Sequence, residues 1–223
     1  MFQYRIALAA FALTAVTPAN AMVTITTLYS TGVDAAGTAT TGNGADLHWT
    51  LNETSAYTGA SNGSFPINPW VSEDASSRWL TPTTNAADSF DPAADGIYFF
   101  NQTFSLEGID ATTATFAGRF LVDNSVDQIL LNGTALAGSG GSFTTWTNFA
   151  STGGSFNAGI NTLTFVVRNF ASSNGNPTGL RVELSGSGEA IGAVPEASTW
   201  AMMIVGFGMI GFAARRRSSF VAA

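Results

Sequence analysis

The chain has 223 residues, a formal net charge of −7 and no cysteine, and 45% of its residues are hydrophobic. The missing cysteines exclude disulfides and a thiol nucleophile, and with a single histidine they leave no ligand set for a zinc site. The excess of acidic residues repels phosphate backbones, so a nucleic-acid-binding protein is not expected.

The N-terminus has the three parts of a secretory signal peptide. Arg5 supplies a positive charge, residues 6–16 form an apolar stretch, and Ala19 and Ala21 supply the small residues of a cleavage site. The apolar stretch is too short to span a bilayer, which disfavours the alternative of a retained N-terminal anchor. We therefore predict a helical signal peptide at 1–21, cleavage after Ala21 and export of the remaining chain.

Residues 22–193 are predicted to form one exported domain, long enough to bury a core without disulfides. Four arginines, no lysine and fourteen carboxylates give this segment a net charge near −10. Short apolar and β-branched runs, separated by Gly, Asn, Asp and Pro, predict an all-β sandwich. The candidate strands are 23–28, 46–52, 97–106, 113–123, 126–131, 161–169 and 178–185.

Alternation along two of these strands predicts which side chains face the core. The predicted core residues are Leu47, Trp49, Leu51, Leu163, Phe165 and Val167. Asn132-Gly133 and Asn174-Gly175 are predicted turns, because both residue types tolerate positive φ angles. Residues 31–45 and 55–69 have no such pattern and are predicted to be surface loops.

Four tryptophans lie in the predicted sandwich, and a tryptophan can either fill a core or present a flat ring to a sugar. Trp49 is assigned to the core by the alternation of its strand. Trp70, Trp79 and Trp146 are candidate ligand-binding residues, and core packing is the alternative for each. Trp146, in the run Thr-Thr-Trp-Thr-Asn, is the preferred sugar platform.

The segment Asp123-Asn124-Ser125-Val126-Asp127 resembles the start of a calcium loop, because calcium takes oxygen ligands from carboxylates and carbonyls. It lacks the glycine and distal glutamate of an EF-hand, since Gln128 and Thr134 stand at those positions. Asp123 and Asp127 are candidate ligands of a structural calcium ion. The alternative is an Asx-type turn that joins two strands.

No catalytic residue is predicted. A Ser-His-Asp arrangement would have to use His48, the only histidine, which lies on the polar face of its predicted strand. No G-x-S-x-G elbow is present to support that chemistry. A pair of carboxylates could hydrolyse glycosides, but their separation cannot be read from the sequence, and solvation at the surface explains the acidic residues equally well.

The C-terminus combines a proline, an apolar run and a basic cluster. Pro195 is well placed near the start of a helix, Trp200 suits a membrane interface, and Arg215 to Arg217 follow the positive-inside rule. We predict a transmembrane helix at about 199–214 and a cytoplasmic tail at 218–223. The apolar part is about 22 Å long, against a hydrocarbon core of about 30 Å, which suits a temporary anchor.

This tail resembles the PEP-CTERM protein-sorting signal of Gram-negative bacteria, in which a Pro-Glu-Pro motif precedes an apolar helix and a basic cluster. The same region is also called the ice-binding protein C-terminal domain. The matching residues, within 194–217, are Val194, Pro195, Glu196, Trp200, Arg215, Arg216 and Arg217. The chain departs from the pattern at Ala197, where the family usually has its second proline. The resemblance implies recognition by an exosortase, cleavage near Pro195-Glu196 and delivery to the cell surface; an ordinary membrane anchor is the alternative.

A second resemblance covers about residues 66–185. Segments such as 98–106, 122–133 and 156–167 are similar to the exported domains of PEP-CTERM proteins and to galactose-binding-like jelly rolls, which implies a jelly-roll sandwich. The leading hypothesis is a non-enzymatic exported protein of the cell surface or extracellular matrix that contacts exopolysaccharide. A carbohydrate-binding module supported by calcium is the alternative. A glycoside or ester hydrolase is the third reading.

Overall fold

The computed structural model describes residues 21–59, 67–151, 155–191 and 197–218, and in the last segment it describes side chains at 200–213 and 215. Met22–Ile191 forms one compact unit, and the C-terminal segment belongs to a second one. The predicted signal peptide apart from Ala21 lies outside the described residues. So do Val194 to Glu196 and residues 219–223 of the predicted cytoplasmic tail.

Ten strands and one helix follow one another along the described chain. They are β1 (Met22–Thr24), β2 (Gly44–Leu51), β3 (Thr54–Thr58), β4 (Gly96–Ser105), β5 (Thr115–Asp123), β6 (Ser125–Leu131), β7 (Thr134–Ala135), β8 (Thr147–Ser151), β9 (Ile160–Asn169), β10 (Gly179–Glu189) and α1 (Ala197–Ser218).

The strands form two sheets, one of four strands in the order β1-β10-β5-β8 and one of six in the order β3-β2-β4-β9-β6-β7. The strand pairs are antiparallel. From β4 to β6 and from β8 to β10, successive strands alternate between the two sheets. The predicted all-β sandwich is confirmed.

The two ends of the sandwich domain lie next to each other. β1 is an edge strand of the four-stranded sheet and pairs with the last part of β10, with Met22 opposite Glu189. The first residue after the predicted signal peptide and the last strand before the tail therefore share one corner of one sheet.

The core between the sheets is rich in phenylalanine. The ring of Phe165 lies 5.2 Å from that of Phe149 and 5.6 Å from that of Phe120, both in edge-to-face arrangements. Such geometry is favourable beyond the area it buries. The predicted core residues Trp49, Leu51, Leu163, Phe165 and Val167 are all buried.

Leu47 is 67% exposed, so its predicted inward position is wrong. The pairing of β2 with β3 shifts register between Ala45 and Thr50, which breaks the simple alternation of the strand. Asp46 explains the irregularity, because its carboxylate accepts hydrogen bonds from the backbone N–H groups of His48 and Trp49, each at 2.8 Å. A side chain thus replaces the ladder partner at this point.

Three strands were not predicted, among them the two-residue β7. β3 occupies part of the predicted loop at 55–69, and β8 lies between two predicted strands. Both are five residues long, and β3 pairs at the edge of its sheet. Neither presents a long apolar alternation, because the Thr, Ser and Asn side chains of these strands mask the two-residue period. Residues 31–45, by contrast, contribute only Gly44 and Ala45 to a strand.

The transmembrane helix predicted at about 199–214 is not confirmed. Within the described residues, no helix combines the length and the apolar character that crossing a membrane requires. The apolar run of α1 between Trp200 and the arginines amounts to about 21 Å of helix, which is short beside a hydrocarbon core of about 30 Å.

Candidate functional site

A loop covers the outer face of the four-stranded sheet and buries two of the candidate sugar platforms. Trp70 and Trp79 are 5% and 0% exposed, and their rings lie 4.3 Å apart over Leu121 of β5. The indole N–H of Trp79 donates to Val71 O at 3.0 Å. Neither ring is available to a sugar, so the core alternative is correct for both.

Trp146 is half-buried at the margin of this cluster. The guanidinium carbon of Arg119 lies 4.3 Å from the centroid of its ring, and that of Arg181 lies 5.1 Å away. Both distances are in the cation–π range. The predicted sugar platform is thus a stacking partner for two arginines, and its accessible surface is reduced accordingly.

Arg181 of β10 fixes the covering loop to the sheet, although it is fully buried. Its Nε donates to Ser77 Oγ at 2.6 Å and its Nη1 donates to Ser72 O at 2.6 Å. Its Nη2 lies 3.0 Å from Asp74 Oδ1 and 3.3 Å from Glu183 Oε1. A buried guanidinium is tolerated because its charge is paired and its donors are satisfied.

The two candidate calcium ligands have different protein partners. Asp123 is buried and accepts a 2.8 Å hydrogen bond from the indole N–H of Trp70. Burial raises its pKa to about 6, and the Trp70 hydrogen bond opposes that rise. Asp127 forms an ion pair with Arg168 across the neighbouring strand. Among the described residues, no group of three or more His, Asp or Glu side chains is arranged to hold a metal ion.

His48 serves the local structure of the loop beside β2. Its ring stacks on that of Tyr29 with centroids 3.6 Å apart and planes 7° apart. Its Nε2 lies 3.1 Å from the backbone oxygen of Asp34. These contacts are those of a structural histidine, and they agree with its predicted place on the polar face of the strand.

The outer face of the six-stranded sheet is open and contains a groove of about 600 Å³. We call it the Phe99 groove. It is lined by Asn52, Glu53, Ile97, Phe99, Asn101, Leu130 and Thr164. Register places Asn101 of β4 opposite Thr164 of β9, and Thr164 opposite Leu130 of β6. Directly opposite residues in antiparallel strands share a face, so these three form one row across the groove.

Phe99 is 44% exposed, whereas its neighbour Phe100 is fully buried in the core. Hydrogen bonds from the β2–β3 turn and from within β4 hold the strand around it. Phe99 N donates to Asn52 Oδ1 at 2.8 Å, and Asn101 Nδ2 donates to Phe99 O at 3.2 Å. Thr164 Oγ1 in turn donates to Asn101 Oδ1 at 2.6 Å. The groove is therefore built by side chains of fixed orientation.

The sequence contained a signal for this site that was not used. Phe99 and Phe100 are consecutive in one strand, and consecutive strand side chains point to opposite faces. When one of two adjacent phenylalanines fills the core, the other must face outward. The exposed ring is thus a phenylalanine and not one of the candidate tryptophans.

The helix α1 carries the candidate sorting residues that can be described. Trp200 is 52% exposed, and Met202, Ile204, Phe207 and Phe212 are each more than 60% exposed. These apolar side chains occupy several faces of the helix. Arg215 is exposed. The side chains of Arg216 and Arg217, like residues 194–196, lie outside the described set.

Comparison with known proteins identifies the tail. Residues 193–217 match the family model described as the PEP-CTERM protein-sorting motif, which marks an exported protein sorted by an exosortase-type system. No curated protein matches the chain. Among solved structures, the sandwich is similar to a family 35 carbohydrate-binding module from an environmental isolate, at 14% identity over 47% of this chain and 78% of that chain, with a TM-score of 0.24.

Proposed function

We propose that this protein is a non-enzymatic component of the cell surface or extracellular matrix, delivered there by its C-terminal sorting motif. The observation that carries the proposal is the order of parts along the chain. A compact sandwich ends at Ile191, and the matched motif starts two residues later at 193. A folded domain followed directly by a sorting signal has the organisation of an exported domain whose C-terminal segment directs its delivery.

The proposed route uses both ends of the chain. A signal peptide at 1–21, cleaved after Ala21, would start export, and an exosortase would recognise 194–217 and cut near Pro195-Glu196. The exposed apolar side chains of α1 suit a segment that is handled in a membrane environment before it is removed. The product is a sandwich without either terminal segment, released at the outer surface.

The sandwich itself supports a binding role better than a catalytic one. His48 is occupied by Tyr29 and Asp34, and the carboxylates Asp123 and Asp127 are engaged by Trp70 and Arg168. Among the open pockets of the described surface, the Phe99 groove contains an exposed aromatic ring. A role in contact with extracellular polysaccharide follows from a groove that combines an exposed aromatic ring with amide and hydroxyl groups.

Cell fractionation with mass spectrometry of the mature C-terminus tests the route. The protein is followed in strains with and without the exosortase, beside a variant in which Arg215, Arg216 and Arg217 are changed to glutamine. We expect a tail-less sandwich outside the inner membrane only when both exosortase and arginines are present. An intact tail that stays in the inner membrane in every strain would overturn the sorting proposal.

A further inference from the structure

We propose that the Phe99 groove is a binding site for an uncharged polysaccharide chain. This inference names the site and the ligand class of the proposed function. It rests on that function in one respect, because an extracellular polysaccharide is met only by an exported protein. Neither the sorting motif nor the candidate tryptophans assign this site.

The exposed ring of Phe99 is suited to contact a sugar. A sugar ring has an apolar face of C–H groups, and it binds where a flat aromatic surface can cover that face. Phe99 is 44% exposed in the middle of a strand, and Ile97, two residues earlier on the same face, is 37% exposed. The sheet backbone holds both side chains, so their presentation costs little ordering on binding.

Polar side chains border this ring and form the polar margin of the groove, which includes Asn52 and Glu53. Asn52 and Glu53 have φ angles of 48° and 65° in the turn between β2 and β3, and both line the groove together with Phe99. Asn52 uses its Oδ1 to bind Phe99 N. Within the described part of the chain, its Nδ2 and the Glu53 carboxylate make no protein hydrogen bond. They are a donor and an acceptor in the same groove lining as Phe99, open to the hydroxyl groups of a ligand.

Charge decides the class of glycan. Among the described residues that line the groove, Glu53 is the one ionisable group and no side chain is basic. Residues 22–193 carry a net charge near −10. An anionic chain such as a uronate polymer would therefore be repelled. An uncharged hexose polymer meets no such penalty.

The same polar margin argues against an apolar protein partner. Asn52, Glu53, Asn101 and Thr164 make up more than half of the lining residues. A hydrophobic protein surface laid across them would desolvate the amide of Asn52 and the carboxylate of Glu53 without replacing their bonds to water. A ligand with many hydroxyl groups satisfies both.

The test uses the full chain in a zwitterionic detergent without sugar headgroups, applied to native affinity gels that contain an uncharged glucan or galactan, or alginate. We expect retardation by at least one uncharged polysaccharide and none by alginate. Phe99→Ala should weaken that binding by about tenfold or more, the loss expected for one aromatic contact, and Phe99→Tyr should restore it.

Phe170→Ala is the matched control, since Phe170 is 49% exposed but lies outside the groove. It should bind as the parent chain does. Failure of every uncharged polysaccharide to bind, equal loss in both Phe→Ala variants, or binding that concentrates on alginate would each overturn the inference. These results do not depend on processing of the tail, so the sorting proposal stands or falls separately in the fractionation experiment.

Discussion

The indole N–H of Trp70 donates to Asp123 Oδ2 at 2.8 Å, and this bond joins the covering loop to the end of β5. Both residues are buried. The carboxylate pays for its position through desolvation, which raises its pKa to about 6. Because burial outweighs the opposing effect of the Trp70 hydrogen bond, we expect the stability of this face of the sandwich to depend on pH in the weakly acidic range.

Asp123→Asn should remove this sensitivity. Because the folded pKa is raised, the folded state holds the proton more tightly than the unfolded state does. The contribution of Asp123 to the free energy of unfolding thus falls as pH rises from about 4 to about 6, by up to about 3 kcal/mol, and is constant above that. The free energy of unfolding of the variant, relative to that of the parent chain, should therefore rise as pH increases over this range. Urea unfolding followed by tryptophan fluorescence measures it.

The exposed Glu107→Gln variant serves as the control for the pH series. It should follow the parent profile closely. If Asp123→Asn and the parent chain keep a constant difference in stability between pH 4 and pH 7, burial does not govern the ionisation of Asp123.

Arg181→Met should destabilise the sandwich by about 3 kcal/mol, because it leaves the carboxylate of Glu183 and the oxygens of the loop without their buried partner. Limited proteolysis should detect faster cutting within residues 67–80. Arg119→Met is the matched control, since Arg119 also stacks on Trp146 and pairs with Glu183 but its side chain is 45% exposed. Its cost should be below about 1 kcal/mol, and equal costs would contradict the assigned role of Arg181.

Gly118→Ala should disrupt the four-stranded sheet. A Cβ at this position would lie 2.4 Å from Glu183 O and 2.7 Å from Leu184 Cβ, so strands β5 and β10 would have to separate. Overpacking of this kind costs about 1–3 kcal/mol. The control is Gly44→Ala in β2, where a Cβ meets no atom within 4 Å. Thermal unfolding should show a clear drop for the first variant, and a similar drop for both would refute the steric explanation.

Asp46→Ala should loosen β2. It removes the acceptor for three backbone N–H groups, those of Gly32, His48 and Trp49. Unpaired, partly buried donors should cost about 2–4 kcal/mol in total. Asp46→Asn keeps one acceptor oxygen and should lose less, as measured by chemical denaturation. If the alanine and asparagine variants were equally stable, the role assigned to Asp46 in the irregular strand would be refuted.

Sequence periodicity was sufficient for the sandwich but not for its details. Leu163, Phe165 and Val167 alternate without interruption, and their burial followed directly from the pattern. Leu47 was misplaced because Asp46 hydrogen-bonds the backbone locally, an event that no two-residue period contains. β3 and β8 were not predicted because their Thr, Ser and Asn side chains mask the two-residue period, while pairing with neighbouring strands stabilises them.

The candidate site shows the same division. Trp70 and Trp79 are buried because their loop lies across the sheet. The contacts of Arg181, more than a hundred positions later in the chain, hold the loop there. Long-range pairings of this kind leave no mark on a local pattern. The sorting motif was recognisable because its parts are contiguous: a proline, an apolar run and three arginines read in order.

The pairing of Met22 with Glu189 has a topological consequence. Both ends of the domain lie at one edge of the four-stranded sheet. The Phe99 groove lies on the other sheet, so new ends or a linker at this edge leave its lining residues unchanged. The closeness of the ends should let a short linker join 191 to 22, with new ends opened elsewhere, and still give a folded circular permutant.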